Sequence, residues 1–241
     1  MKKIFFLYLI VLFLSFSQPA FAYFIGNEIT TLNGIYGSSW DGSSNELWDV
    51  LSANGYTALA NDVQTDVSGG TPSSNYHVYK NTYWKSAGYY SLMVDEVAAY
   101  SPYSSFGWYI KNHSGDVGDL SKTTWGEIFS GANSQGATFG FFNPNEIGFW
   151  INPNGASGLY YFTDTSLNGG DLQALVFSLN GYGGFGDDYL IALEDLKFSG
   201  WTDNDFQDMI IRLRPIIPEP GTMSLLGLGL LGVFGFRKKR S

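Results

Sequence analysis

Acidic side chains are concentrated near the end of the 241-residue sequence, at a spacing that could hold a metal ion. Glu194 and Asp195 lie near the end of a predicted strand, and Asp203, Asp205 and Asp208 come just downstream, spaced by two and three residues. A hard cation such as Ca²⁺ takes about six to eight oxygen ligands, which closely spaced acidic residues in a turn can supply. We therefore predict these five residues as Ca²⁺ ligands.

The same residues also have a simpler explanation, which stays open. Asp and Asn in turns often point into water or accept hydrogen bonds from nearby backbone N–H groups. The segment that starts at Asp203 is not an EF-hand, because its sixth position is Asp208 rather than Gly and no helices are predicted around it. Composition and spacing alone do not choose between a metal site and ordinary turn residues.

Other reactive chemistry is scarce in the sequence. There is no Cys, which excludes a thiol nucleophile, a Cys-based zinc site and a disulfide scaffold. The two histidines are His77, in a predicted strand, and His113, whose neighbours Ser114 and Asp116 complete the residue types of a catalytic triad. Triads are assembled from distant segments, so we interpret residues 113–116 as a polar hairpin loop and predict no catalytic residue.

These groups must be positioned by the elements of the central segment, which is predicted to be mostly strands. Aromatic and β-branched residues alternate with others at a period of two, and Gly, Asn, Pro and Ser separate the runs. The predicted strands are Tyr76–Lys80, Tyr89–Val94, Phe106–Lys111, Ala137–Phe142, Ile147–Asn152, Leu159–Thr163, Leu172–Leu179, Tyr189–Lys197 and Met209–Arg214. This pattern predicts an all-β fold, a β-sandwich for which a jelly roll is one arrangement.

One or two short helices are expected among these strands. Residues 43–46 form a capping box before an apolar run that starts at Leu47, and Asn54-Gly55 would end that helix. Residues 124–127 offer a second capping box. The Gly-aromatic pairs at Gly107, Gly140 and Gly148 indicate bends and close packing rather than sequence repeats.

The first 22 residues read as a secretory signal peptide. Two lysines precede an apolar run, and Ala20 and Ala22 are the small residues that a signal peptidase reads. We predict cleavage after Ala22. The central domain, residues 23–214, then carries seven basic and 21 acidic residues, a net charge of −14. This charge argues against binding to nucleic acid, because there is too little positive charge to neutralise phosphates.

The last segment, residues 215–241, has three parts in a fixed order. Pro218, Glu219 and Pro220 come first, an apolar run follows at 222–236, and four basic residues close the chain at 237–240. As a helix, the apolar run would span about 22 Å at ~1.5 Å per residue, short for a hydrocarbon core of ~30 Å. The basic end would hold the C-terminus in the cytoplasm, so we predict a short transmembrane helix.

This tail resembles the PEP-CTERM sorting signal. The resemblance implies recognition by an exosortase in the inner membrane of Gram-negative bacteria that make exopolysaccharide, and removal of the tail there. The two prolines agree with that role, because they keep Glu219 extended and out of helix, as a protease cleft requires. The implied location is a transient inner-membrane anchor, followed by the cell surface or extracellular matrix of a biofilm.

The central domain also resembles an uncharacterised secreted β domain over about Phe106–Arg214. The match rests on Glu194-Asp195-Leu196, the three downstream aspartates and the apolar strand at 209–211, with departures at Trp201 and Gln207. The sequence thus predicts an exported, non-enzymatic protein stabilised by Ca²⁺. Two alternatives stay open: a carbohydrate-binding module that contacts exopolysaccharide through exposed aromatic rings, and a glycan-acting hydrolase built on two facing carboxylates.

Overall fold

The computed structural model describes residues 23–33, 35, 46–85, 89–96, 104–130, 136–141, 145–153, 159–194, 206 and 208–215. All of its helices and strands belong to one compact unit, Ala22–Ile216. The predicted signal peptide with Ala20 and Ala22, the Pro218–Pro220 motif, the apolar run 222–236 and the basic end 237–240 lie outside the described residues.

The described part of the chain contains eleven strands and two α-helices. In chain order they are β1 (Tyr23–Ile29), α1 (Leu47–Ala53), α2 (Thr57–Val67), β2 (Val78–Lys85), β3 (Tyr89–Glu96), β4 (Ser105–Ile110), β5 (Trp125–Ser130), β6 (Thr138–Phe141), β7 (Ile147–Asn152), β8 (Tyr161–Phe162), β9 (Ala174–Ser178), β10 (Tyr189–Leu193) and β11 (Met209–Pro215). The predicted mostly-β fold with one or two short helices is confirmed.

All eleven strands join one antiparallel sheet. Its order is β5-β4-β7-β2-β9-β10-β11-β3-β6, with β1 added beside β2 and β8 beside β7. The strands at the two ends of this order, β5 and β6, follow each other in the chain and contact each other. The sheet therefore curls until its end strands meet, which gives it an inner face and an outer face.

Two apolar cores lie on the two faces of the sheet. On the outer face, Leu175, Leu190 and Ile210 pack with the helices α1 and α2. On the inner face, residues of β9, β10 and β11 that alternate with those three, such as Val176 and Ile191, pack with aromatic residues of β2, β4 and β7. This alternation is the period of two that the sequence showed.

The first helix follows the sequence closely and the second does not. Helix α1 spans Leu47–Ala53 and is followed by its C-cap Asn54 and by Gly55 at a positive φ of 87°, as predicted. Its N-cap is Glu46, which makes no side-chain capping hydrogen bond, unlike the predicted capping box. Helix α2 was not predicted, although Leu59 and Val63 are buried against the sheet. Asp66, near its end, is buried and accepts hydrogen bonds from the Leu32 backbone N–H and the Thr31 hydroxyl.

The prediction of a helix start at residues 124–127 is wrong, because this segment forms strand β5. Its partner is β4, and Trp108 faces Gly126 across the pair. A Cβ atom at position 126 would lie 2.9 Å from the Trp108 ring, close enough to clash. Pairing between the strands therefore overrides the local capping signal. Gly126 favours this pairing, because the Trp108 ring occupies the space above it.

Candidate functional site

The acidic cluster lies at one end of the β10–β11 hairpin. Glu194 directly follows β10 and Asp208 directly precedes β11. The connection between them contains the other three predicted ligands, Asp195, Asp203 and Asp205, which lie outside the described residues. The structure thus brings two of the five predicted ligands to the same end of one hairpin.

Both described carboxylates are withdrawn from solvent. Glu194 is 0% exposed and Asp208 is 9% exposed. Leu193 pairs with Met209, so the register places Glu194 and Asp208 opposite each other one residue further along. Directly opposite residues in an antiparallel pair have Cβ atoms about 5 Å apart. Two carboxylates at this spacing repel each other unless a positive charge or a proton intervenes.

The backbone next to Asp208 has an unusual conformation. Phe206 is fully buried in the outer core and has a positive φ of 51°. A bulky residue rarely adopts this left-handed region, and its occurrence there marks a tightly constrained connection. A buried ring in this left-handed conformation thus lies two residues before one of the predicted ligands.

A residue that the sequence did not single out stands beside this pair. Gln173 immediately precedes β9, is 1% exposed, and accepts a backbone hydrogen bond from the N–H of Glu194 at 3.1 Å. Among the described residues, neither Oε1 nor Nε2 of Gln173 has a hydrogen-bond partner. Sequence reasoning assigned this residue to a strand, and a single Gln at the start of a strand carries no signal that could have revealed its role.

The described residues alone do not complete a metal centre. Within them, no group of three or more His, Cys, Asp or Glu side chains is placed to hold a metal ion. Carboxylate and amide oxygens are nevertheless the ligands that Ca²⁺ prefers. Glu194, Asp208 and Gln173 could contribute such oxygens, with the remainder from the acidic connection.

Asp187 and Asp188, at the opposite end of β10, serve another purpose. Asp188 is 4% exposed and accepts hydrogen bonds from Nε of Arg212 at 2.7 Å and Nε of Arg214 at 3.2 Å. The guanidinium of Arg212 also lies over the ring of Phe185, 4.6 Å from its centroid. A buried carboxylate held by two arginines is a structural ion pair, so Asp188 is not available to the acidic cluster.

The residues around His113 do not form a catalytic triad. The His113 ring Nδ1 lies 3.0 Å from Asp116 Oδ2, and the Thr124 hydroxyl donates to the same oxygen at 2.6 Å. In a triad the histidine stands between the nucleophile and the carboxylate. Here the carboxylate stands in the middle, and these hydrogen bonds shape the β4–β5 connection.

Aromatic rings cluster on the outer face of β4 and β7, but at steep angles to one another. The rings of Trp125 and Trp150 are inclined by 60°, and those of Trp150 and Tyr160 by 87°. Trp150 is 1% exposed, so its ring is packed rather than presented. These three rings lack the exposed coplanar pair expected of a sugar-stacking platform.

The helices in the described part of the chain are too short or too polar to cross a membrane. The predicted transmembrane helix, 222–236, falls outside that part.

A family description matches the end of the chain. Residues 217–240 match the PEP-CTERM protein-sorting motif. The tail is a PEP-CTERM sorting signal. The chain is therefore an exported protein that an exosortase sorts, with a transient membrane anchor. No curated protein and no solved structure is significantly similar to the chain. The resemblance of the central domain to an uncharacterised secreted β domain stays a prediction.

Proposed function

We propose that the PEP-CTERM protein is a non-enzymatic component of the cell surface or extracellular matrix of a Gram-negative bacterium, and that Ca²⁺ stabilises its β domain. The location follows from the kind of cell that uses this sorting signal, and exopolysaccharide is the neighbour expected there. The non-enzymatic role is supported by the chemistry of the chain. It has no Cys, and its two histidines pair with Glu28 and Asp116.

One observation carries the Ca²⁺ proposal: two buried carboxylates, Glu194 and Asp208, stand opposite each other where an acidic connection leaves and re-enters the sheet. Burial penalises each charge, and their proximity penalises the pair. A bound divalent cation reverses both effects, because its positive charge attracts both carboxylates and takes the place of the water that solvated them. Asp195, Asp203 and Asp205 are the remaining predicted ligands.

Thermal melting of the exported, processed protein tests this proposal. At Ca²⁺ a hundredfold above its dissociation constant, linkage predicts stabilisation by about 2.7 kcal/mol. For a domain of this size, the melting temperature should rise by about 5–10 °C. A chelator should remove the gain, and Asp205→Ala should abolish it with the fold intact.

Mg²⁺ at the same concentration is the ionic control, since it binds poorly to sites that lack octahedral geometry. Asp49→Ala, at an exposed position in the first turn of α1 and outside the predicted ligand set, is the matched acidic control and should keep the Ca²⁺ response. Melting curves that superimpose with Ca²⁺ and with chelator would show that the acidic residues are ordinary turn residues.

A further inference from the structure

The side-chain amide of Gln173 is buried beside two acidic residues. It is 1% exposed, and neither of its polar atoms has a hydrogen-bond partner in the part of the chain that the structure describes. Buried polar groups in folded proteins are paired in the large majority of cases, and exceptions indicate a missing water, ion or functional role. Within the described residues, the amide of Gln173 is therefore a buried polar group free to bind a ligand.

The strand register places Gln173 in a row with the two buried acids. Leu193 pairs with Ala174 on one side and with Met209 on the other. One residue further along, Gln173, Glu194 and Asp208 therefore stand side by side on three neighbouring strands.

The three side chains also share one face of the sheet. Leu175, Ala192 and Ile210 lie two residues away from Gln173, Glu194 and Asp208 respectively, and all three belong to the outer core. Because side chains alternate between faces along a strand, residues two apart point to the same side. The row is thus a single patch at the edge of the outer core, in which Glu194 stands between Gln173 and Asp208.

The chemistry of this patch matches a cation with oxygen ligands. Two carboxylates and one amide carbonyl supply oxygens of the types found in Ca²⁺ sites. Resting on the proposed Ca²⁺ site, we propose that Gln173 is a further ligand of that cation through Oε1. The neutral carbonyl adds an oxygen without adding negative charge to a pair that already repels.

Three variants of the exported, processed protein test the role of Gln173. Gln173→Leu keeps the approximate size and removes the carbonyl oxygen. Gln173→Glu replaces the neutral oxygen by a charged one. Gln64→Glu, on the exposed side of α2, adds the same charge away from the patch and is the matched control. The measurements are melting temperature and Tb³⁺ luminescence sensitised by the protein's aromatic residues, with Ca²⁺ as competitor.

We expect Gln173→Leu to weaken Ca²⁺ binding at least tenfold while melting no earlier than the parent protein in chelator, because the unpaired amide is gone. Gln173→Glu should melt earlier in chelator and bind Ca²⁺ more tightly, because a third carboxylate both repels its neighbours and attracts the cation. Gln64→Glu should change neither property.

The outcomes separate this inference from the proposed function. If the parent protein binds Ca²⁺ and Gln173→Leu binds it equally well, Gln173 is not a ligand and the Ca²⁺ proposal survives. If the parent protein binds neither Ca²⁺ nor Tb³⁺, both proposals are overturned. Should Gln173→Leu fail to fold, unchanged Ca²⁺ affinity in Gln173→Glu would overturn the inference by itself.

Discussion

Tyr83 and Asp164 show how single residues set the pH range of the fold. The Tyr83 hydroxyl donates to Asp164 at 2.5 Å. Burial, reinforced by the nearby carboxylate, raises the pKa of Tyr83 to about 12. Burial alone would raise the pKa of Asp164, but hydrogen bonds from Tyr83 and Ser166 outweigh it and lower this pKa below its usual value. Each partner is thus held in the protonation state that the bond requires.

The stability of the protein should fall at both ends of the pH scale for this reason. The raised pKa of Tyr83 contributes stability that is fully present below the unfolded pKa of 10.0. This stability is lost as the pH rises towards 12. The lowered pKa of Asp164 contributes stability above the ordinary pKa of 3.8, and this stability is lost as the pH falls further. Urea denaturation at a series of pH values measures the loss of stability at both the acid and the alkaline end, and tyrosinate absorbance follows the ionisation of tyrosine.

Tyr83→Phe separates this pair from the other ionisable groups. Between pH 10 and 12, the free energy of unfolding should fall by about 1–2 kcal/mol less in the variant than in the parent protein, after allowance for solvent screening near the hydroxyl. It should also lose stability at a higher pH on the acid side, because Asp164 no longer receives the hydrogen bond. Parallel pH profiles for the two proteins would contradict this assignment.

At the same scale, the spacing of acids located two of the five predicted ligands in the described residues. Glu194 and Asp208 could be predicted because a hairpin must return its two strand ends to one place. The ion pair of Asp188 could not be predicted, since the sequence does not show that Arg212 and Arg214 lie across the strand pair. Gln173 could not be predicted, because its significance comes from burial and from strand register, and neither is local in sequence.

At the scale of elements, glycine–ring pairs hold β4, β5 and β7 together. Gly107 faces Trp150 across the β4–β7 pair, and Tyr109 faces Gly148. A Cβ at Gly107 would lie 2.2 Å from the Trp150 ring and 2.2 Å from the Gly126 carbonyl oxygen. Each ring thus covers the space that its glycine partner leaves empty, as the sequence pattern of Gly-aromatic pairs indicated for close packing.

Gly107→Ala should destabilise the protein by about 1–3 kcal/mol, because the added methyl group forces backbone or ring to move. Gly115→Ala is the matched control, since a Cβ there would meet nothing within 4 Å. It should change the free energy of unfolding by less than about 0.5 kcal/mol. Denaturation midpoints compare the two variants, and equal midpoints would mean that the rings are not closely packed.

Strands in which apolar and other residues alternate regularly could be predicted from the sequence. Elements that depend on packing or pairing with other elements could not. Strand β11 alternates apolar side chains between two cores and was found directly. Strand β1 was missed because Gly26 and Asn27 interrupt its pattern at a shift in register. Helix α2 contains several residues of low helix propensity, and burial of Leu59 and Val63 against the sheet compensates for them.

At the scale of the whole molecule, sorting should remove the tail from the exported protein. Mass spectrometry of the mature form should find no peptide from residues 225–241, because the PEP-CTERM signal directs processing upstream of that segment. Glu219→Ala should leave the tail attached. Glu28→Ala, in β1 and far from the tail in sequence, is the control and should be processed normally. Tail peptides on the exported parent protein would contradict this prediction.

The position of β11 in the sheet has a mechanical consequence. This last strand ends at Pro215, just before the sorting motif, and is hydrogen-bonded to β10 on one side and β3 on the other. Tension transmitted through the C-terminal segment therefore enters the fold along the axis of a central strand. It must shear two rows of hydrogen bonds at once, whereas an edge strand pulled along the same axis would be held by a single row.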